Sequence, residues 1–305
     1  MLRLLAARLA QMLATLALLS ALIWLLIGLM PGDPAELAIM ADPRLGPEDV
    51  ARLRATHGLD QPLLSRYLAW AGAMLRGEFG YSRLFAQPVA ALLLPALWSS
   101  LGLLGLALLL SAGLGTGRGV LAAWRPRLAP AVEALAILAQ STPSFWLGML
   151  FIILVAVTLG WLPAGGTEAP GSLILPVATL TLVNLAAYAR HSMAAMAEVL
   201  ALPYIATARA KGLPPATVLW RHAFPNAALP LLTVAALDAG SLVSGALITE
   251  TIFARPGMGK LIYDAVMGND YNLALLALLL AALVTMLATL AADLAQRWLD
   301  PRLAP

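Results

Sequence analysis

Apolar residues in this chain gather into six long runs, and the segments between them hold most of the charge. The runs cover about 9–30, 96–117, 131–159, 172–189, 227–249 and 272–294. About 20 consecutive apolar residues in a helix cross the hydrocarbon core of a bilayer, so each run predicts a transmembrane helix. None alternates with period two, which argues against a transmembrane barrel. The pattern predicts an all-α polytopic membrane protein with six transmembrane helices. The first run follows Arg3 and Arg8 but is broken only by Gln11, Thr15 and Ser20. It exceeds the apolar core of a signal peptide and lacks a small-x-small cleavage site, so it reads as a retained helix. Inside the third run stands Gln140-Ser-Thr-Pro-Ser144. Pro143 removes a backbone donor there, predicting a kink whose freed carbonyls neighbouring hydroxyls can satisfy.

Between the first two runs, residues 31–95 predict surface helices rather than a loose loop. Pro47 and two acids open a helix that Gly58 closes. A second helix over about 62–76 puts Leu64, Tyr67, Leu68, Ala71, Met74 and Leu75 on one side.

Composition fits the membrane reading. Apolar residues make up 61% and charged residues 11% of the chain, far below the roughly 25% charged of soluble domains. Eleven of the 19 Lys and Arg, from Arg3 to Arg302, fall in segments that are cytoplasmic if the N-terminus is inside. Only Arg255 and Lys260 fall in the short outer loops. The bias predicts cytoplasmic N- and C-termini. The net charge of +3 reflects this asymmetry, and no basic stripe with interleaved aromatics points to nucleic acid. The chain has no cysteine and three scattered histidines, so neither thiolate chemistry nor a zinc site is expected. Gly257-Met-Gly-Lys260 lacks the leading glycine and the Ser/Thr of a phosphate-binding loop. No catalytic, cofactor or metal site is predicted.

Two polar features remain. Asp238, Ser241, Gly245 and Thr249 share one face of the fifth predicted helix, and Thr181, Asn184 and Tyr188 line up on the fourth. Polar groups at membrane depth are costly unless they face a water-accessible path or each other, so these are candidate translocation-path residues. Residues 198–225 form a polar island carrying Arg209, Lys211, Arg221 and His222 with the single acid Glu198. The island reads as an extension of the fourth span, a short helix from Tyr204 to Lys211 closed by Gly212, and a further helix opened by Pro214-Pro215. Ala206, Thr207, Ala208 and Ala210, beside Arg209 and Lys211, are expected to present small side chains to a docking protein.

These residues resemble the coupling loop of bacterial ABC importer permeases. Gly212 and the terminal Pro225 stand at the family's spacing, and Tyr204-Ile-Ala-Thr-Ala-Arg-Ala-Lys-Gly212 is similar to the dipeptide/oligopeptide/nickel branch. Pro31-Gly-Asp-Pro34, Pro143-Ser-Phe145, Glu250-Thr-Ile-Phe253, Pro256-Gly-Met-Gly259 and Asp300-Pro-Arg302 extend the likeness to the first permease subunit of that branch. The resemblance implies a type-I importer permease fold in a bacterial inner membrane and no enzymatic activity of its own. It implies a second homologous permease, two cytoplasmic ATPases docked on 198–225 and an extracytoplasmic binding protein. The implied domains are 1–94 (first helix plus outer segment), 95–294 (permease domain) and 295–305 (tail). Cargo is left open among dipeptide, oligopeptide, nickel chelate, glutathione and peptide antibiotic. The alternative, an ion-coupled secondary transporter, would also carry intramembrane acids but needs no docking helix.

Overall fold

The computed structural model describes residues 2–28, 48, 61–240 and 247–299. The elements are α1 (Leu2–Gly28), α2 (Leu63–Leu75), a hairpin of β1 (Tyr81–Ser82) and β2 (Gln87–Pro88), and α3 (Val89–Trp124). After a 3₁₀ turn come α4 (Ala129–Ser141), α5 (Ser144–Phe151) with a π-helical continuation Ile152–Thr158, and α6 (Ile174–Leu200). Next are α7 (Pro203–Ala210), α8 (Pro215–Thr217) with a π-helical turn Val218–Ala223, and α9 (Phe224–Gly240). Last come α10 (Leu247–Ile252), α11 (Met258–Met267) and α12 (Tyr271–Leu299). The helix expected over 47–57 lies outside the described residues, apart from Glu48.

Among the described residues, α1, α3 and α12 are long and apolar enough to cross a membrane. The third expected span is not one kinked helix. Its two halves, Pro126–Ser141 and Ser144–Thr158, meet at 95°. Pro143 forces the preceding residue out of the helical region, and Thr142 is extended at φ −96° and ψ 118°. The Thr142 hydroxyl donates to the Leu138 carbonyl at 2.7 Å, satisfying an acceptor freed by the break. The fourth and fifth expected spans form helices, α6 and α9, but neither is among the three long apolar ones. α9 is described over only 17 residues.

Two compact units divide the chain. The first comprises Met1–Leu94 with Leu261–Leu283. Here Asp270 caps α12: its Oδ1 accepts the Leu273 amide at 3.2 Å. Its Oδ2 accepts the Ser82 hydroxyl at 2.5 Å and the Leu84 amide at 2.9 Å, tying the hairpin to the helix start. α2 turns Tyr67, Trp70, Ala71 and Met74 inward while Leu64, Leu68 and Leu75 stay exposed. Tyr67 and Trp70 pack on Trp24 of α1 with ring centroids 6.0 and 5.5 Å away.

The second unit comprises Pro95–Lys260 with Val284–Pro305. Its central helix is α6, which packs on α4, α5 and α9. α3 crosses it closely because Gly115 and Gly119 have no side chain to hold the backbones apart. A Cβ at Gly115 would lie 2.6 Å from the Leu185 carbonyl, and one at Gly119 would strike Ser192. Farther along the crossing, Leu103, Leu104 and Ala107 of α3 meet Val177 and Leu180 of α6 in one buried cluster.

Candidate coupling element and intramembrane polar pair

α7 begins with Pro203 in its first turn, where a missing N–H costs nothing. Ile205 and Ala208, three apart on one face, are buried against Val120 of α3, Met196 and Val199 of α6, Val218 and Ala223 of the π-helical turn, and Ala227 of α9. The helix is therefore seated on the ends of three longer ones. Gly212 has φ +73°, and the chain closes in a Schellman arrangement. The Gly212 amide donates to the Arg209 carbonyl at 2.9 Å and the Leu213 amide to the Ala208 carbonyl at 3.4 Å. Pro214 and Pro215 then start α8. Tyr204 Oη donates to the His222 carbonyl at 3.3 Å and accepts from Asn226 Nδ2 at 3.0 Å, fixing α7 to the start of α9.

What remains exposed on α7 is Pro203, Tyr204, Ala206, Thr207, Arg209 and Ala210, followed by Lys211. Ala208, expected on the same face, is a correction: it is 7% exposed and faces the helix ends. The small residues do not form one face, because Ala206 and Ala208 stand 200° apart on a helix. The Thr207 hydroxyl is taken by the Pro203 carbonyl at 3.1 Å. The Arg209 guanidinium lies 5.8 Å from the Trp124 ring centroid, a cation–π contact at the end of α3. Glu198 is exposed near the end of α6, and Pro225 is exposed in the first turn of α9.

Of the expected path residues, Tyr188 and Asp238 come together. Tyr188 Oη, almost fully buried, donates to Asp238 Oδ2 at 2.6 Å and joins α6 to α9. Thr181 is buried with its hydroxyl unpartnered, while Asn184 on the same helix is exposed. Thr249 is buried in α10. Ser241 and Gly245 lie outside the described residues.

The sequence reading missed a buried carboxylate. Glu250 is 1% exposed. Its Oε1 accepts the Ser100 hydroxyl and its Oε2 the Lys260 amide at 3.0 Å. Ser100 Oγ in turn accepts the Met258 amide at 2.7 Å. The negative group thus sits at the N-terminus of α11, where unpaired amides favour it. A Cβ at Gly257 would strike this carboxylate, and one at Gly259 would lie 3.2 Å from Oε2. The usable signal was the pair of glycines following an acid. Arg255 hydrogen bonds the Gly166 carbonyl at 3.2 Å. Burial draws its guanidinium below the usual range and the Glu250 charge opposes that shift, leaving it charged.

Residues 115–305 match the family described as "Binding-protein-dependent transport system inner membrane component", and residues 1–86 match the N-terminal membrane-component family of such systems. The chain belongs to this family. It is the membrane-embedded, non-enzymatic permease of an ABC importer. "Probable peptide ABC transporter permease protein y4tP" of Sinorhizobium fredii is 36% identical over 97% of both chains. The di/tripeptide transport system permease DppB of Pseudomonas aeruginosa is 34% identical over 99% of both. The oligopeptide transport system permease AppB of Bacillus subtilis is 32% identical over 90% of both. Among solved structures, an inward-facing MetNI methionine ABC transporter chain matches with a TM-score of 0.59 at 22% identity, covering 70% of this chain and 98% of that one. At that identity the likeness speaks for the fold, the type-I importer permease.

Proposed function

We propose that this chain is the first of two homologous permeases in an importer of peptides, driven by two cytoplasmic ATPases and fed by an extracytoplasmic binding protein. The curated relatives carry peptide, oligopeptide and di/tripeptide transport in their names, and that shared chemistry supports peptide cargo. The reading includes six crossings with both termini cytoplasmic, an outer segment within 1–94, a permease domain over 95–294 and a tail over 295–305. The observation that carries it is the seating of α7. An eight-residue helix anchored by Ile205 and Ala208 leaves Tyr204, Ala206, Thr207, Arg209, Ala210 and Lys211 outward, as a docking element requires. Glu198, Gly212 and Pro225 frame it; Ala208 contributes by holding the helix down. A force applied to α7 passes into α3, α6 and α9 through its buried seat.

On α6 and α9, the Tyr188–Asp238 pair is read as part of the translocation path, to which Thr181, Asn184, Ser241, Gly245 and Thr249 are also assigned. The secondary-transporter alternative has no support in the relatives.

The cysteine-free sequence permits a direct test. In cells, Ala210→Cys should react with an impermeant maleimide only after lysis, and Tyr81→Cys (72% exposed) without it. In the purified complex, bound ATPase subunits should shield Ala210→Cys. Labelling of Ala210→Cys from outside, or equal labelling with and without the ATPases, overturns the docking assignment.

A further inference from the structure

In the first unit, α1, α2, the start of α3 and the first half of α12 enclose a partly open recess of about 560 Å³. Its lining holds no charged residue. Its two hydroxyls are already used, Ser20 and Tyr67 bonding each other at 2.7 Å. We propose that this recess is a binding site for one acyl chain of a membrane phospholipid.

Depth is the first argument. Among the described residues, α1, α3 and α12 are long and apolar enough to cross a membrane, so the walls they contribute lie in hydrocarbon. The lining runs from Leu13 to Ser20 on α1 and from Leu276 to Leu283 on α12. Seven residues of helix rise about 10 Å, which fits inside one leaflet of a core about 30 Å thick. Polarity along the recess supports the same orientation. Ser20 and Tyr67 lie at the end where Trp24 meets Tyr67 edge-on and Trp70 stacks on it, and such aromatic groups favour the headgroup boundary. Along α1 the lining then continues from Ser20 through Ala17 and Leu16 to Leu13, and the lining of α12 is leucine throughout.

Continuity is the second argument. Leu13, Leu75 and Leu94 belong to the lining yet are 69%, 83% and 57% exposed. The recess therefore opens outward along the lining face of α1, on which Leu9 is also exposed, while Leu18 and Leu22 are exposed on the opposite face. Chemistry separates the occupants. Water finds no hydrogen-bond partners there, and an empty recess forfeits dispersion contacts. A peptide would bring backbone groups that nothing in the lining satisfies. A thin flexible hydrocarbon chain meets none of these objections.

The test uses the assembled transporter in nanodiscs containing phosphatidylethanolamine with a diazirine in one acyl chain. After irradiation, labelled residues are mapped by mass spectrometry. Labelling at Ala71, Met74 and Leu279 should exceed labelling at Leu18 and Leu22 at least fivefold. Ala71→Phe and, from the other wall, Ala90→Phe should each fill the recess and lower that labelling at least fivefold without altering Leu18 and Leu22. If one variant does not assemble, the other and the wild-type enrichment still decide. Even labelling across α1, or recess labelling unchanged in the assembled variants, overturns the proposal. So does a photocross-linker at Leu94 that captures the second permease instead of lipid.

Discussion

Gly212 offers the sharpest test of the coupling geometry because its requirement is purely one of backbone. It adopts φ +73°, and a Cβ there would meet nothing within 4 Å. Gly212→Val therefore introduces no clash; it introduces the left-handed penalty of a β-branched residue, about 1–2 kcal/mol. That penalty falls on the two bonds closing α7, from the Gly212 and Leu213 amides to the Arg209 and Ala208 carbonyls. What opposes it is the seat beneath. Burying Ile205 stabilises the helix by about 1.5–3 kcal/mol, so the penalty is of the same order as the main anchor. At 1.4 kcal/mol per tenfold, the seated population should fall about 5- to 30-fold relative to competing orientations. Receptor-stimulated ATP hydrolysis and peptide uptake by the reconstituted transporter should fall together, with insertion and permease pairing unchanged. Asn tolerates left-handed backbone far better than Val, so Gly212→Asn should retain most of the activity. Wild-type coupling in Gly212→Val, or equal loss in Gly212→Asn, would refute the reasoning.

Three further outcomes are expected. Ala208→Trp overpacks the seat, at about 1–3 kcal/mol, and should unseat α7, read as new protease cleavage between Pro203 and Leu213; exposed Ala210→Trp should weaken ATPase binding without that cleavage. Asp238→Asn should reduce uptake of cationic peptides more than neutral ones, with assembly intact; equal effects across a charged and neutral panel leave the Tyr188 bond as packing alone. Glu250→Gln replaces one carboxylate acceptor with a donor, leaving either the Ser100 hydroxyl or the Lys260 amide unpaired at about 1–3 kcal/mol, so the melting temperature of the purified protein should drop, and Gly257→Ala should do the same by contact; an unchanged melting temperature in both would show the cluster to be dispensable.

The sequence by itself determined the parts that depend on local chemistry. Continuous apolar length specified α1, α3 and α12, since a bilayer demands that length whatever packs beside it. Proline chemistry located the break at Pro143, and the glycine at 212 located the end of α7, because both act through their own φ. The size of the Pro143 bend, 95°, was not legible, since it depends on what α4 and α5 pack against. Tertiary structure also decided which way residues face. A run of small residues on a short helix has no amphipathic signal, so only the apolar cluster beneath α7 reveals that Ala208 points inward while Ala206 points out. The bond from Tyr188 to Asp238 joins residues 50 apart, and the one from Ser100 to Glu250 joins residues 150 apart. Sequence spacing carries no information about such pairs; they exist because α6 meets α9, and because the glycines after Glu250 let the start of α11 close over its carboxylate.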